Sequence, residues 1–439
     1  MISLEKTAQQ VIQALKRHKV SDYEISLSAS SGVSTAVRLG KVETLEYHLD
    51  KSLDINVYLG QAKGHTSSVD LSEGGILKAV ESACLIAKYT QNDPFSGLAP
   101  KELMAFDVPD LDMYHPWELD PSHSIDLATR CEAQALDHSG IDNSDGAEVS
   151  SYQGEGLYAN SNGMMSVQKG ARHSLNCSVI AKQNKDMQTA YEYTVALDAQ
   201  DLQAPEWVGD RVAKLAIGKL GARSLASQKC PVIFSPRVSS GLFSQLIGAL
   251  SGASQYKKAT FLLDSIDKLI LPESISILEK PFSKKTIGAK AFDRDGVLKR
   301  QQYFVENGQV KSYVLSQYSA NQLGLKTTAN AGGVNNLIIE HQFTGDLDDM
   351  IKLMDKGLVV TELMGQGVNG TTGDYSRGAT GFWVENGEIQ YPVSGITIAG
   401  NLKDMLLGIE HVGSDVDYRG NIKVGSVLIN QMTIAGDTE

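Results

Sequence analysis

A chain of 439 residues with 40 basic and 52 acidic side chains, and so a net charge of −12, offers no basic face for a phosphate backbone, which argues against nucleic-acid binding. Apolar residues at 42% and charged residues at 21% are the balance of a globular protein, and no apolar run reaches membrane-spanning length. The length suggests two or roughly three domains.

The four cysteines, 84, 131, 177 and 230, never form a C-x-x-C pair, and they read as reduced, buried thiols. The start, Met1-Ile2-Ser3-Leu4-Glu5-Lys6, lacks the apolar core of a signal peptide, so a cytoplasmic protein is expected.

Leu4, Ala8, Val11, Ile12 and Leu15 form one apolar stripe at helical spacing. Period-two alternation then predicts three strands, carried by Tyr23/Ile25/Leu27, Val33/Thr35/Val37/Leu39 and Leu53/Ile55/Val57/Leu59, with turns at Gly40-Lys41 and within 60–64. Ser72 is an N-cap candidate for a helix running to about Tyr89. Residues 90–122 hold five of the 11 prolines. They read as an extended connection anchored by Phe95, Leu103, Phe106, Met113, Tyr114 and Trp117. A helix over 123–138, strands to about Ala199 and a helix from Pro205 to Gly221 complete an N-terminal α+β domain, residues 1–224.

The second expected domain, residues 225–439, is β-rich. It opens with a strand at Val232-Ile233-Phe234 and a helix from about Val238 to Leu250. Asp295-Gly296 and Asn307-Gly308 look like hairpin turns, a short helix spans 347–356, helix-like 403–409 comes next, and a final strand covers 425–429. Between 357 and 400 lies a glycine-rich stretch with glycines at 365, 367, 370, 373, 378 and 381, and an Asn386-Gly387 type I′ turn. Gly365-x-Gly367-x-x-Gly370 imitates a dinucleotide fingerprint, but no helical pattern comes after it. Within Gly373-Asp374-Tyr375-Ser376-Arg377, Asp374 is expected to cap a turn and Arg377 to pair with a carboxylate.

Hydrolytic metal sites need clustered ligands. The nine histidines (18, 48, 65, 115, 123, 138, 173, 341, 411) never fall within five residues of one another, so no helix carries a histidine pair. A site assembled from separated His, Asp and Glu residues stays open.

The 357–400 stretch resembles the C-terminal signature of the PmbA/TldD family, the modulators of DNA gyrase. The resemblance extends over essentially the whole chain and points to the PmbA/TldE branch. It implies a two-domain PmbA/TldD-like fold. Peptidase members of the TldD type carry H-E-x-x-x-H on the helix early in the C-terminal domain, and a cysteine near the C-terminus. Here Ser244 and Ala249 match the two histidines, Gln245 the glutamate and Val424 the cysteine. Serine, alanine and valine cannot hold Zn²⁺ together, and glutamine cannot take a proton from water at neutral pH.

The resemblance therefore implies a chain without metal of its own, paired with a TldD-like zinc peptidase subunit. The complex would degrade unfolded peptides and trim leader peptides, as in microcin maturation, with Gly373 to Arg377 lining the substrate chamber. Homodimers of the isolated chain are a further expectation. Two other readings stand beside this one: an autonomous metal-dependent peptidase, and a regulatory binder of DNA gyrase or of a toxin–antitoxin component.

Overall fold

The structure, a computed structural model, describes residues 3–436; Met1 and Ile2, at the start read as lacking a signal core, and residues 437–439 lie outside it. The N-terminal half runs α1 (Leu4–Leu15), β1 (Asp22–Arg38), β2 (Lys41–Leu59), β3 (Ala62–Ser68), α2 (Glu73–Tyr89), α3 (Pro121–Leu136), β4 (Ile141–Asn160), β5 (Met165–Gln183), β6 (Asp186–Ala196) and α4 (Pro205–Ile217). Its six strands form one antiparallel sheet in the order β3-β2-β1-β4-β5-β6.

The first two predicted strands are a single strand. Ser28-Ala29-Ser30-Ser31-Gly32 looks like a break, but β1 pairs through it with β2 on one side and β4 on the other. Pairing on both edges overrides weak local propensity. Gly32 is needed there, since a Cβ would lie 2.4 Å from the Tyr152 ring. The next turn sits one residue earlier than predicted, at Leu39 (φ 48°) and Gly40 (φ 69°). Its two N–H groups donate to the buried carboxylate of Glu132 on α3, at 2.8 and 2.9 Å. That grip holds a non-glycine residue in the left-handed region.

One face of the sheet carries both helix pairs. Helices α1 and α2 cover Ile25, Leu27, Leu53, Ile55 and Val57. Helices α3 and α4 cover Val33, Val37, Val149, Leu175 and Val179. Ser72 caps α2 as expected, its Oγ accepting from Gly75 N at 3.2 Å. In the 90–122 connection, Ala99, Met104, Ala105 and Leu111 are the buried anchors, packed against Phe292 and Val297. Phe106 and Tyr114, expected to anchor it, are exposed.

The C-terminal half continues with β7 (Gln228–Phe234), α5 (Pro236–Ala249), α6 (Gly252–Tyr256), β8 (Ser276–Glu279), β9 (Gln302–Glu306), β10 (Gln309–Val310), α7 (Gln317–Leu323), β11 (Leu337–Glu340) and α8 (Leu347–Met354). It ends with β12 (Gly357–Met364), β13 (Asp374–Glu385), β14 (Glu388–Asn401), α9 (Leu402–Leu407), β15 (Ile409–Val412), β16 (Ile422–Lys423) and β17 (Val427–Ala435). Strands β14, β13, β12, β7 and β17 lie side by side in that order, and β17 pairs back onto β14, closing a five-stranded barrel. A second sheet, β10-β9-β8-β11-β16, shares the same core, with Leu242 and Leu246 of α5 among Ile277, Leu337 and Val360. Asn386 (φ 54°) and Gly387 (φ 70°) make the expected turn between β13 and β14.

Asp295-Gly296 lies in a tight reversal as expected, with Phe292 bridged antiparallel to Leu298 and Asp293 N donating to Val297 O at 3.0 Å, but single bridges rather than full strands flank it. The loop is built on the buried Asp293 carboxylate, which accepts from the N–H groups of Asp295, Val297 and Ala331. Gly296 sits against Tyr158 of the N-terminal sheet, whose hydroxyl donates to Glu24 at 2.9 Å. Burial, and next the Asp293 carboxylate, push the Asp295 carboxyl up from 3.8 to about 7.

The folded pKa is raised, so the stability this proton gives is complete below about 3.8 and is lost as pH rises through about 7. Asp295→Asn is expected to flatten that slope and to stabilise the protein at pH 8 by about 1–2 kcal/mol, discounted because the side chain is only half-buried. Urea midpoints at several pH values measure it; parallel profiles for the two proteins would refute it.

Candidate functional site

Helix α5 starts at Pro236 and buries Leu242, Phe243, Leu246 and Ala249 along one stripe. The four positions matched to the peptidase motif divide between its surroundings. Ser244 is exposed and Gln245 half-buried. Ala249 is 5% exposed and Val424, just past β16, 1%, and both belong to the apolar core of the C-terminal half. Helix α5 packs on β16, so helix and strand meet where a shared site would need them. The donor set, one hydroxyl, one amide and two hydrocarbons, does not fit Zn²⁺. Among the described residues no three His, Cys, Asp or Glu side chains converge on a metal position.

The glycine-rich loop joins β12 to β13. Asn369 organises it, its side-chain oxygen accepting from Thr371 N and Thr372 N at 3.0 and 3.2 Å. Gly367 passes so close to Ser376 that no Cβ fits. Beyond Gly370 the chain makes a turn and enters β13 rather than a helix, so the fingerprint-like spacing cradles no phosphate.

Asp374 begins the strand, its carboxylate accepting from Thr372 Oγ1 at 2.6 Å and Asn401 Nδ2 at 3.3 Å. Alternation along β13 leaves Asp374 and Ser376 exposed, while Gly373 and Tyr375 are buried and Arg377 half-buried. The Tyr375 ring meets Phe234 edge-on. Burial pushes its phenol up to about 12, against the pull of the Arg377 cation. Arg377 does not pair with a carboxylate as expected: its Nε is buried without a hydrogen-bond partner among the described residues. It shares the inward face of β13 with Tyr375, a phenol, rather than with an acidic side chain.

A second polar site had no signal in the spacing. His341, at the end of β11, and Glu410 and His411, on β15, line a cavity of about 390 Å³ with Phe343. His341 Nδ1 is buried and has no hydrogen-bond partner among the described residues, and the His411 ring lies 4.6 Å from that of Phe343. Only the meeting of the two C-terminal sheets brings these residues together.

Models of the PmbA/TldA metallopeptidase family match three consecutive regions: domain 1 over residues 23–87, the central domain over 114–220 and the C-terminal domain over 227–436. Metalloprotease PmbA of Escherichia coli O157:H7 is 48% identical over 94% of this chain and 92% of its own length. The metalloprotease PmbA homolog of Haemophilus influenzae is 44% identical over the same shares.

Among solved structures, a protein of Bacteroides thetaiotaomicron named a modulator of DNA gyrase superposes with a TM-score of 0.93 at 24% identity, covering 99% of both chains. TldE of Thermococcus kodakarensis gives 0.81 at 20%, covering 99% of this chain and 100% of that one. At these identities the structures speak for the fold, while the sequence relatives and the three domain models show that the chain belongs to the PmbA/TldD metallopeptidase family.

Proposed function

We propose that this chain is the non-catalytic subunit of a TldD/TldE-type metallopeptidase complex, with zinc and the general base supplied by a TldD-like partner. The observation that carries this reading is the donor set on α5 and beyond β16: Ser244, Gln245, and the core residues Ala249 and Val424. The substrates are extended peptides, unfolded segments and leader peptides. The chain's own part is to wall the chamber, with the exposed Asp374 and Ser376 of the Gly373–Arg377 segment turned toward the peptide. Its division into units 1–224 and 225–439 and a cytoplasmic location belong to the same reading; among the described residues no helix is long and apolar enough to cross a membrane.

The test is cleavage of an unfolded peptide by the purified chain alone and mixed with a TldD-like subunit, with and without chelator. The isolated chain is expected at the blank rate, and mixing should raise the rate at least ~100-fold, in line with what a positioned base contributes. Chelator-sensitive cleavage by the isolated chain overturns the reading.

A further inference from the structure

The two helix pairs leave a gap between them on the N-terminal sheet, and strand register sets its floor. Two neighbouring cross-strand rows form that floor, with Lys51, Ala29, Glu155 and Lys169 in one and Leu49, Ser31 and Gln153 in the other. Both rows share the face of Leu27, Leu53 and Leu157, which α1 and α2 cover further along. The small side chains at 29 and 31 leave a cleft of about 260 Å³, walled by Leu4, Leu49, Leu71 and Tyr114. Leu49 is 79% exposed.

Two acceptors in the cleft lack a donor. Gln153 Oε1 is buried with no hydrogen-bond partner among the described residues, a state that calls for an explanation. Lys169 stands opposite Glu155 across the ladder, yet its ammonium lies over the Tyr114 ring, 5.6 Å from the centroid. The half-buried Glu155 carboxylate is left without an ion pair among the described residues. Lys51 is two strands away from it, about 10 Å, where salt screens its charge. Gln153 and Glu155 are two residues apart on β4 and both line the cleft.

We infer that this cleft binds the N-terminal residue of a peptide that begins with an apolar side chain. The peptide's ammonium pairs with Glu155, its side chain packs on Leu4, Leu49 and Leu71, and its first peptide N–H donates to Gln153 Oε1. One residue of extended peptide spans about 3.5 Å, and the two acceptor side chains close the remaining distance. An acylated peptide lacks the cation and a free amine lacks the second donor, so each meets only half of what the cleft presents. The inference deepens the proposed function by naming where an extended peptide is held on this chain. It rests on that reading for the source of the peptide alone. Binding is measured on the isolated chain, without cleavage, so either can fail while the other stands.

Calorimetry of the full chain with leucyl-alanyl-alanine amide tests it. The wild type is expected to bind with a Kd of about 0.1–1 mM. Acetylating the peptide's N-terminus removes the charge and should weaken binding at least ~10-fold. Glu155→Gln should weaken the free peptide by a similar factor and leave the acetylated one unchanged. Gln153→Leu should weaken the peptide about fivefold but not 3-methylbutylamine, which has no peptide N–H. The comparison of free and acetylated peptide uses the wild type, so it decides the matter even where a substitution disturbs the sheet. No binding by the wild type below about 10 mM, equal binding of the acetylated peptide, or undiminished binding by Glu155→Gln would each overturn the inference. Binding of the amine as tight as that of the peptide would assign the cleft to free amines and overturn it too.

Discussion

Ser244→His, Gln245→Glu, Ala249→His and Val424→Cys introduced together are expected to give a chain that binds Zn²⁺ at about one equivalent with roughly micromolar affinity. The expectation rests on α5 packing against β16 and on Ala249 and Val424 sharing one core. Two imidazoles and a thiolate then replace a hydroxyl and two hydrocarbons. The affinity stays well short of a natural site because no outer hydrogen bonds orient the new imidazoles. Histidine at the buried position 249 overpacks the core and should cost about 1–3 kcal/mol in the absence of metal, part of which zinc returns. Competition titration and zinc-dependent melting give the two readouts. A folded quadruple variant that binds no zinc, or binds equally well without Val424→Cys, would show that the helix and the strand do not share a site.

Glu279→Ala should be among the most damaging single substitutions, costing about 3–5 kcal/mol. Glu279 and Lys299 form an ion pair at 2.8 Å with side chains 0% and 1% exposed. The same carboxylate accepts from Gln302 Nε2, Asn330 Nδ2 and Asn335 N, tying β8 to the segments around β9 and β11. Removing it strands a buried ammonium and several N–H donors. Changing both partners, Glu279→Met with Lys299→Met, should recover a large share of the loss, because two hydrocarbons need no solvation. Urea midpoints decide the matter: a single-variant loss under about 1 kcal/mol would mean that water reaches the pair.

Where the chemistry is local, the sequence is a good guide. Ser72 as a cap, the Asn386-Gly387 turn and the apolar stripe of α1 depend on neighbours within a few residues, and each stands where the pattern puts it. Features set by distant partners are illegible. Strand β1 runs through five weak residues because β2 and β4 hold it. The four-residue strands β8 and β11 exist through pairing with each other and have no pattern of their own. The motif positions at 244, 245, 249 and 424 come from the family resemblance, not from spacing, since position 424 lies far from α5 in sequence. His341 and His411 are likewise far apart, and no periodicity could join them. Arg377 fails as an expected ion pair because burial along β13 obeys strand parity, which gives it a phenol for a neighbour.

The closure of the barrel has a consequence for how the protein is made. Strand β7, near residue 230, pairs with β17, which ends at Ala435, and β17 also seals the ring against β14. The first and last strands of the C-terminal half are therefore partners. Of the strands described, β17 is the last to be synthesised, so the barrel cannot close until it has emerged, whereas the N-terminal sheet, complete by Ala196, can already be formed. Until β17 arrives, β7 and β12 wait side by side with one flank of β7 open, and the long stretch of chain between its partners makes the final closure slow. A chain cut even a few residues short within β17 would carry a finished first half attached to an unsealed second half.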